Sequence, residues 1–197
     1  NAQIIADHRV VDRYDSIPQQ YLDMVKTMLV AMSGESHSSA YRNGMDLLEL
    51  MDGTYQVETF DGSPVPSSTD QYLRIGRHRV VGEDYFFSES RIASLKNEIT
   101  SQYNSGNPFS VMGFAWCWDM TDDNPPGGVE DPEYQVRWAG RSEGGPDGNM
   151  RWGLDSDDQV LTGNSVSMDT YLEAVESYIL HCTENNYPTQ WVFTTGP

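Results

Sequence analysis

Ser36 is the residue with the clearest chemical potential in this chain. It sits in Met32-Ser33-Gly34-Glu35-Ser36-His37-Ser38-Ser39, between an apolar run at 28–32 and a helical pattern at 40–51. A tight, glycine-containing corner between strand and helix is where α/β enzymes expose a nucleophilic hydroxyl. The helix N-terminus then faces any developing negative charge. A serine so placed needs a base within hydrogen-bond reach and donors for an oxyanion. Serine also caps helices, so the plain alternative is that Ser36 or Ser38 does only that.

Aromatic and acidic residues form a second group. Phe114, Trp116 and Trp118 alternate onto one face of an apolar run, with Asp119 at its end, and Trp138 and Trp152 follow in glycine-rich sequence. Tryptophan faces stack on sugar rings and carboxylates bond hydroxyls, so Trp116, Trp118 and Asp119 are expected to bind substrate, specifically a glycan, at a strand's carboxyl end. The bland reading packs the same rings under a helix. Asp122-Asp123, Glu130-Asp131 and the run at 155–158 offer oxygens to Ca²⁺ but lack the Asp-x-Asp-x-Asp-Gly pattern, so a solvated acidic loop is the alternative. Otherwise no cofactor is expected, and no Cys/His spacing of the zinc type occurs.

Candidate bases are few. The four histidines are His8, His37, His78 and His181. None has a carboxylate placed by sequence to orient it. His37 adjoins Ser36, but neighbours on a helix point to different sides. His78 sits in a basic patch at 74–79. Cys117 and Cys182 are expected on surfaces that could meet, as a disulfide or as two buried thiols.

The elements that must position these groups alternate in type. Pro18 opens a short helix running to Lys26, although a longer helix through Met32 shares its periodicity. In the helix at 40–51, Tyr41, Met45, Leu48 and Met51 fall at helical spacing, and Asp52-Gly53 ends it. Strands follow at 55–60 and 72–75, separated by a Ser/Pro-rich loop at 63–70. Ser88 or Ser90 caps a helix carrying Ile92, Leu95, Ile99 and Tyr103, which Gly106 ends. Residues 109–118 read as a central strand covered on both faces. Residues 119–163 form a long Gly/Pro/Asp-rich insertion of the kind that carries function. A helix at 166–185 buries Leu172, Val175, Ile179 and Cys182, and a last strand follows Pro188. Helices alternating with apolar strands imply a parallel sheet wrapped by helices, in one α/β domain spanning 1–197.

Gly34-Glu35-Ser36-His37-Ser38 resembles the first block of the SGNH (GDSL-like) hydrolases, Gly-Asp-Ser-x-Ser, with Glu35 in place of Asp. The words at 34–42, 113–120, 162–166 and 193–197 are similar to an uncharacterised, secreted SGNH-like group. The resemblance implies a flavodoxin-like α/β/α three-layer sandwich and hydrolysis of esters, often acyl groups on sugars. It further implies an oxyanion hole of the Ser36 N–H, the Gly113 N–H and the Asn164 side chain. The family's last block, Asp-x-x-His, does not occur in residues 1–197. The chain stops just after a buried-strand pattern at 190–193, so the base histidine and the C-terminal part of the fold are expected beyond Pro197, on a further fragment of the same polypeptide.

Thirty acidic against twelve basic side chains give a formal charge of −18. That argues against nucleic acid and anionic membrane as partners, since both are polyanions. No apolar run approaches the roughly 20 residues of a spanning helix. A start at Asn1, without Met or a signal-peptide pattern, suits a processed, secreted protein. The expected function is therefore a secreted serine ester hydrolase acting on a small-molecule or glycan ester. The alternative is a non-catalytic glycan-binding or surface-assembly protein on the same scaffold, Ca²⁺-stabilised in one version.

Overall fold

The computed structural model describes residues 8–34, 36–77, 85, 88–115 and 168–193. After an initial 3-10 segment (His8–Ser16), the elements run α1 (Gln19–Lys26), β1 (Leu29–Gly34), α2 (Ser36–Met51), β2 (Val57–Asp61), β3 (Leu73–Arg77), α3 (Glu89–Asn104), β4 (Val111–Ala115), α4 (Met168–Glu184) and β5 (Gln190–Phe193). The longer helix through Met32 does not form. Thr27 closes α1, its N–H donating back to Met24 O at 3.1 Å, and β1 starts two residues later.

The five strands form one sheet in the order β2-β3-β1-β4-β5, and every pairing is parallel. Setting β2 aside, β3-β1-β4-β5 is the flavodoxin order, with β2 added outside it. Two cores fill the two faces. Leu29, Ala31, Met112 and Phe114 meet Ile92, Leu95 and Ile99 of α3 and Ala174, Val175, Tyr178 and Cys182 of α4. Met32, Leu73 and Ile75 meet Val25 of α1 and Met45 of α2 on the other face. The result is the expected three-layer α/β/α sandwich, because strands buried on both faces need a helical layer on each.

Several expectations shift at the level of single residues. The buried stripe of α4 is Ala174, Val175, Tyr178 and Cys182, while Ile179 is partly exposed. Its helix turns so that Tyr178 lies flat against Trp191, ring centroids 5.0 Å apart, and a large ring fills more core than a branched chain could. On α2, Met45 points inward, but Tyr41, Leu47, Leu50 and Met51 are exposed. Tyr103 packs on Tyr187 at 4.5 Å and stays partly exposed. Asn186, at φ 55°, and Gly106, at φ 79°, turn the chain out of α4 and α3.

The basic patch at 74–79 is split by strand alternation. Arg74 is buried near the start of β3 and donates to Thr27 O (2.7 Å), Asn107 Oδ1 (2.7 Å) and Ser67 O (3.3 Å). It ties the β2–β3 connection to the amino edge of the sheet, and burial pushes its pKa down. Arg77 instead ends β3 at the carboxyl edge.

Candidate active site

In a parallel sheet all carboxyl ends share one edge. The chain leaving β1 passes through α2 to the far side of β3, while the chain leaving β4 passes through α4 to β5 on the opposite side. These neighbours in the sheet therefore diverge, and α2 and α4 lie on different faces. Divergence of adjacent connections marks a topological switch point, whose carboxyl edge is the usual ligand position in open α/β sheets. Here the switch point falls between β1 and β4, whose last residues Gly34 and Ala115 are register partners.

Gly34 makes this corner. Its φ is +115°, and a Cβ there would stand 2.5 Å from the Ala115 carbonyl oxygen. Only glycine allows β1 to close on β4 and turn at once into a helix. Two residues later Ser36 is the first residue of α2, so the helix starts four residues earlier than the apolar periodicity indicates. The polar run 36–39 hides the start from a hydrophobic pattern.

The bland reading of the second hydroxyl is also resolved. Ser38 is fully buried, and its Oγ donates to Gly34 O at 2.9 Å. A side chain that bonds a carbonyl one turn back is not an N-cap, which must accept from N–H groups. Ser38 thus clamps the glycine corner. Arg42 folds back over the same turn, its Nη1 reaching Ser38 Oγ at 3.3 Å and its Nη2 reaching Ser39 Oγ at 3.1 Å. Ser33, the residue before Gly34 in β1, lies on the α3–α4 side; its Oγ is buried and makes no hydrogen bond.

At the same edge, Arg77 grips Asp61 with two bonds, Nε to Oδ1 and Nη2 to Oδ2, each 2.9 Å. That pair, with a smaller contribution from Arg42, holds the Asp61 carboxyl below its usual range. Sequence reading weighed Ser38 only as a cap, met Arg77 only within the basic patch, and gave no role to Arg42 or Asp61. Helical spacing carried a signal for two of them, since Arg42 stands four residues after Ser38 and three after Ser39.

Gly113 is the third residue of β4, in register with Met32 on one side and Val192 on the other. A Cβ there would meet Met32 Sδ at 2.7 Å and Val192 O at 2.9 Å. Close packing requires a glycine here, inside the sheet and two residues short of the strand end. Trp116 follows Ala115 directly, but Trp116, Trp118 and Asp119 lie outside the described residues, as do Asn164, the acidic runs and Cys117.

His181 is at the wrong end of the molecule for Ser36. It lies in the last turn of α4, toward the amino edge, with Nε2 3.1 Å from Lys96 O and 3.1 Å from Thr100 Oγ1 of α3. Burial holds its pKa below the ordinary 6.5. Its work is to join two helices. Cys182 carries a free thiol, buried, with its pKa pushed up by desolvation. Among the described residues no three His, Cys, Asp or Glu side chains gather to hold a metal, and no helix is long and apolar enough to cross a membrane.

Comparison of the chain with protein-family models, with curated proteins and with solved structures finds no match.

Proposed function

We propose that this chain is an SGNH-like serine ester hydrolase, secreted, with acylated carbohydrates as its substrate class. The observation that carries the reading is the forced corner at Gly34, after which Ser36 is the first residue of α2, two positions beyond the end of β1 and beside β4. Three further features support it. A helix start turns its backbone N–H groups toward the position beside the serine. The clamp from Ser38 fixes the turn. The aromatic-acidic segment 116–119 continues from the neighbouring strand end.

The reaction runs in two halves. The Ser36 oxygen bonds to the ester carbonyl carbon, its proton passes to an imidazole, and the carbonyl electron pair moves to oxygen. N–H groups at the start of α2 and the Asn164 amide hold that oxyanion. Gly113, whose lack of a Cβ lets β1 and β4 approach, is the glycine whose N–H the resemblance implies as the second donor. The C–O bond then breaks, and the alcohol leaves with the proton from the imidazolium. Water adds to the acyl-serine by the same route in reverse, releasing the acid. The imidazole is carried by chain outside the described residues, since His181 stands at the opposite edge. Trp116, Trp118 and Asp119 hold the sugar.

Turnover of p-nitrophenyl acetate tests this reading. Ser36→Ala is expected to lower kcat about 10³-fold or more while the far-UV spectrum stays unchanged. Equal turnover in the variant would remove Ser36 from the chemistry.

A further inference from the structure

The helix α2 has two apolar faces, and the sheet covers one of them. Ser38 and Met45 turn inward. On the outer side Leu47, Leu50 and Met51 are 60%, 82% and 74% exposed. A surface helix ordinarily keeps its apolar stripe inward and its charged residues outward. Here Arg42, Asp46 and Glu49, the charged side chains of α2, are half-buried, and the exposed positions from Ala40 to Met51 are all uncharged. The chain as a whole carries a formal charge of −18. An outward helix face without charge is therefore a place where a second acidic body can approach.

Gly44 is an independent sign of the same surface. It stands inside α2, where glycine weakens a helix. Close packing explains the glycines at 34, 76 and 113, but a Cβ on Gly44 would meet nothing within 4 Å. No contact within the fold calls for glycine there. Its lack of a side chain keeps a hollow open on the outer surface of the helix.

Spacing decides what fits that hollow. Ala40, Gly44, Leu47 and Met51 fall at i, i+4, i+7 and i+11, the a/d seam of a short coiled coil. The small residues occupy the amino-terminal half of the seam and the large ones the other half. Two such helices laid antiparallel about a two-fold axis set Ala40 of each copy against Met51 of the other, and Gly44 against Leu47. Every layer then joins a small side chain to a large one. A parallel pair would set glycine on glycine and leucine on leucine, leaving a hole beside a bulge. The seam is complementary to itself in one orientation.

We propose that the outer face of α2 is a homodimer contact, in which α2 of one copy packs antiparallel on α2 of a second. The neutral face lets two strongly acidic molecules meet where neither presents charge. Leu50 covers the flank of the seam, and the opposed helix dipoles favour the pairing. A contact this short makes a dimer that dissociates on dilution. The pairing needs nothing from the hydrolase reading.

Sedimentation equilibrium of the full chain, over a wide concentration range and at low and high salt, tests it. A monomer–dimer equilibrium is expected. Added salt is expected to tighten it, because screening relieves repulsion between the acidic copies and the seam contains no ion pair to lose. Leu47→Glu places a carboxylate in the seam of each copy and is expected to weaken the dimer about a hundredfold. Gly44→Leu fills the hollow and is expected to weaken it about tenfold. The same variant is expected to raise the thermal midpoint of the dilute monomer, since the site is open and leucine favours helix. That opposite movement separates a lost contact from a damaged fold. Met24→Glu alters a comparably exposed residue of α1, 58% exposed, and is expected to leave the association unchanged. In a Cys117→Ala background, Ala40→Cys protein mixed with Met51→Cys protein under mild oxidation is expected to trap the mixed pair in excess of either like pair. A monomer at the highest soluble concentration overturns the proposal. So does a dimer that survives Leu47→Glu, or one that Met24→Glu disrupts equally. Like pairs in excess of the mixed pair would overturn the antiparallel seam.

Discussion

Gly34 and Ser38 do at residue scale what makes the corner usable. A glycine before the serine was visible as a break in the pattern, because only glycine tolerates positive φ together with a close backbone approach. The clamp by Ser38 was not visible, since a serine near a helix start reads equally as a cap, and only coordinates show which backbone group it bonds. Gly34→Ala puts a methyl against the Ala115 carbonyl at a φ of +115°. Such strain costs about 1–3 kcal/mol, and it falls on the spacing of β1 and β4. The expected result is a lowered midpoint in thermal unfolding together with loss of ester turnover larger than the stability change explains. Unchanged turnover in a folded Gly34→Ala protein would separate the corner from the chemistry.

At the scale of elements, the type of each segment was legible and the facing of some was not. The start of α3, after the first of two candidate caps, and a strand within 109–118 follow from cap chemistry and an apolar run, whereas the α1–β1 break stayed open because one periodicity runs on to Met32. The inward face of α4 follows instead from what it packs on. Tyr178 is buried because the Trp191 ring of β5 lies beneath it, a contact set by residues 13 positions apart that periodicity cannot weigh. The α3–α4 pair also carries a pH response. His181 is held below its ordinary 6.5 in the folded protein, chiefly by burial, so the unfolded chain takes up its proton first as pH falls. Stability contributed by a neutral His181 is therefore present above pH 6.5 and is lost progressively below it. Thermal midpoints from pH 7.5 to 5.5 are expected to drop more steeply in the unmodified protein than in His181→Gln, whose amide can still donate to Lys96 O. Parallel slopes would contradict the assignment.

For the molecule as a whole, the parallel α/β sandwich could be read from the alternation of helices and strands, but the strand order could not. The order depends on β2 reaching the edge beyond β3 and returning through residues 62–72 without a helix, a long-range choice with no local mark. Arg74, buried among carbonyls of three segments, holds that connection in place. The serine corner was legible because its residue types are demanded locally; its position beside β4 was not, because it is a property of the sheet. The central claim is that Ser36 is a nucleophile at the carboxyl edge of the sheet. The most direct measurement is reaction of the full chain with a fluorophosphonate probe, followed by peptide mass spectrometry. One adduct on Ser36, absent in Ser36→Ala, is the predicted result; an unlabelled protein, or an adduct that persists in that variant, would contradict it.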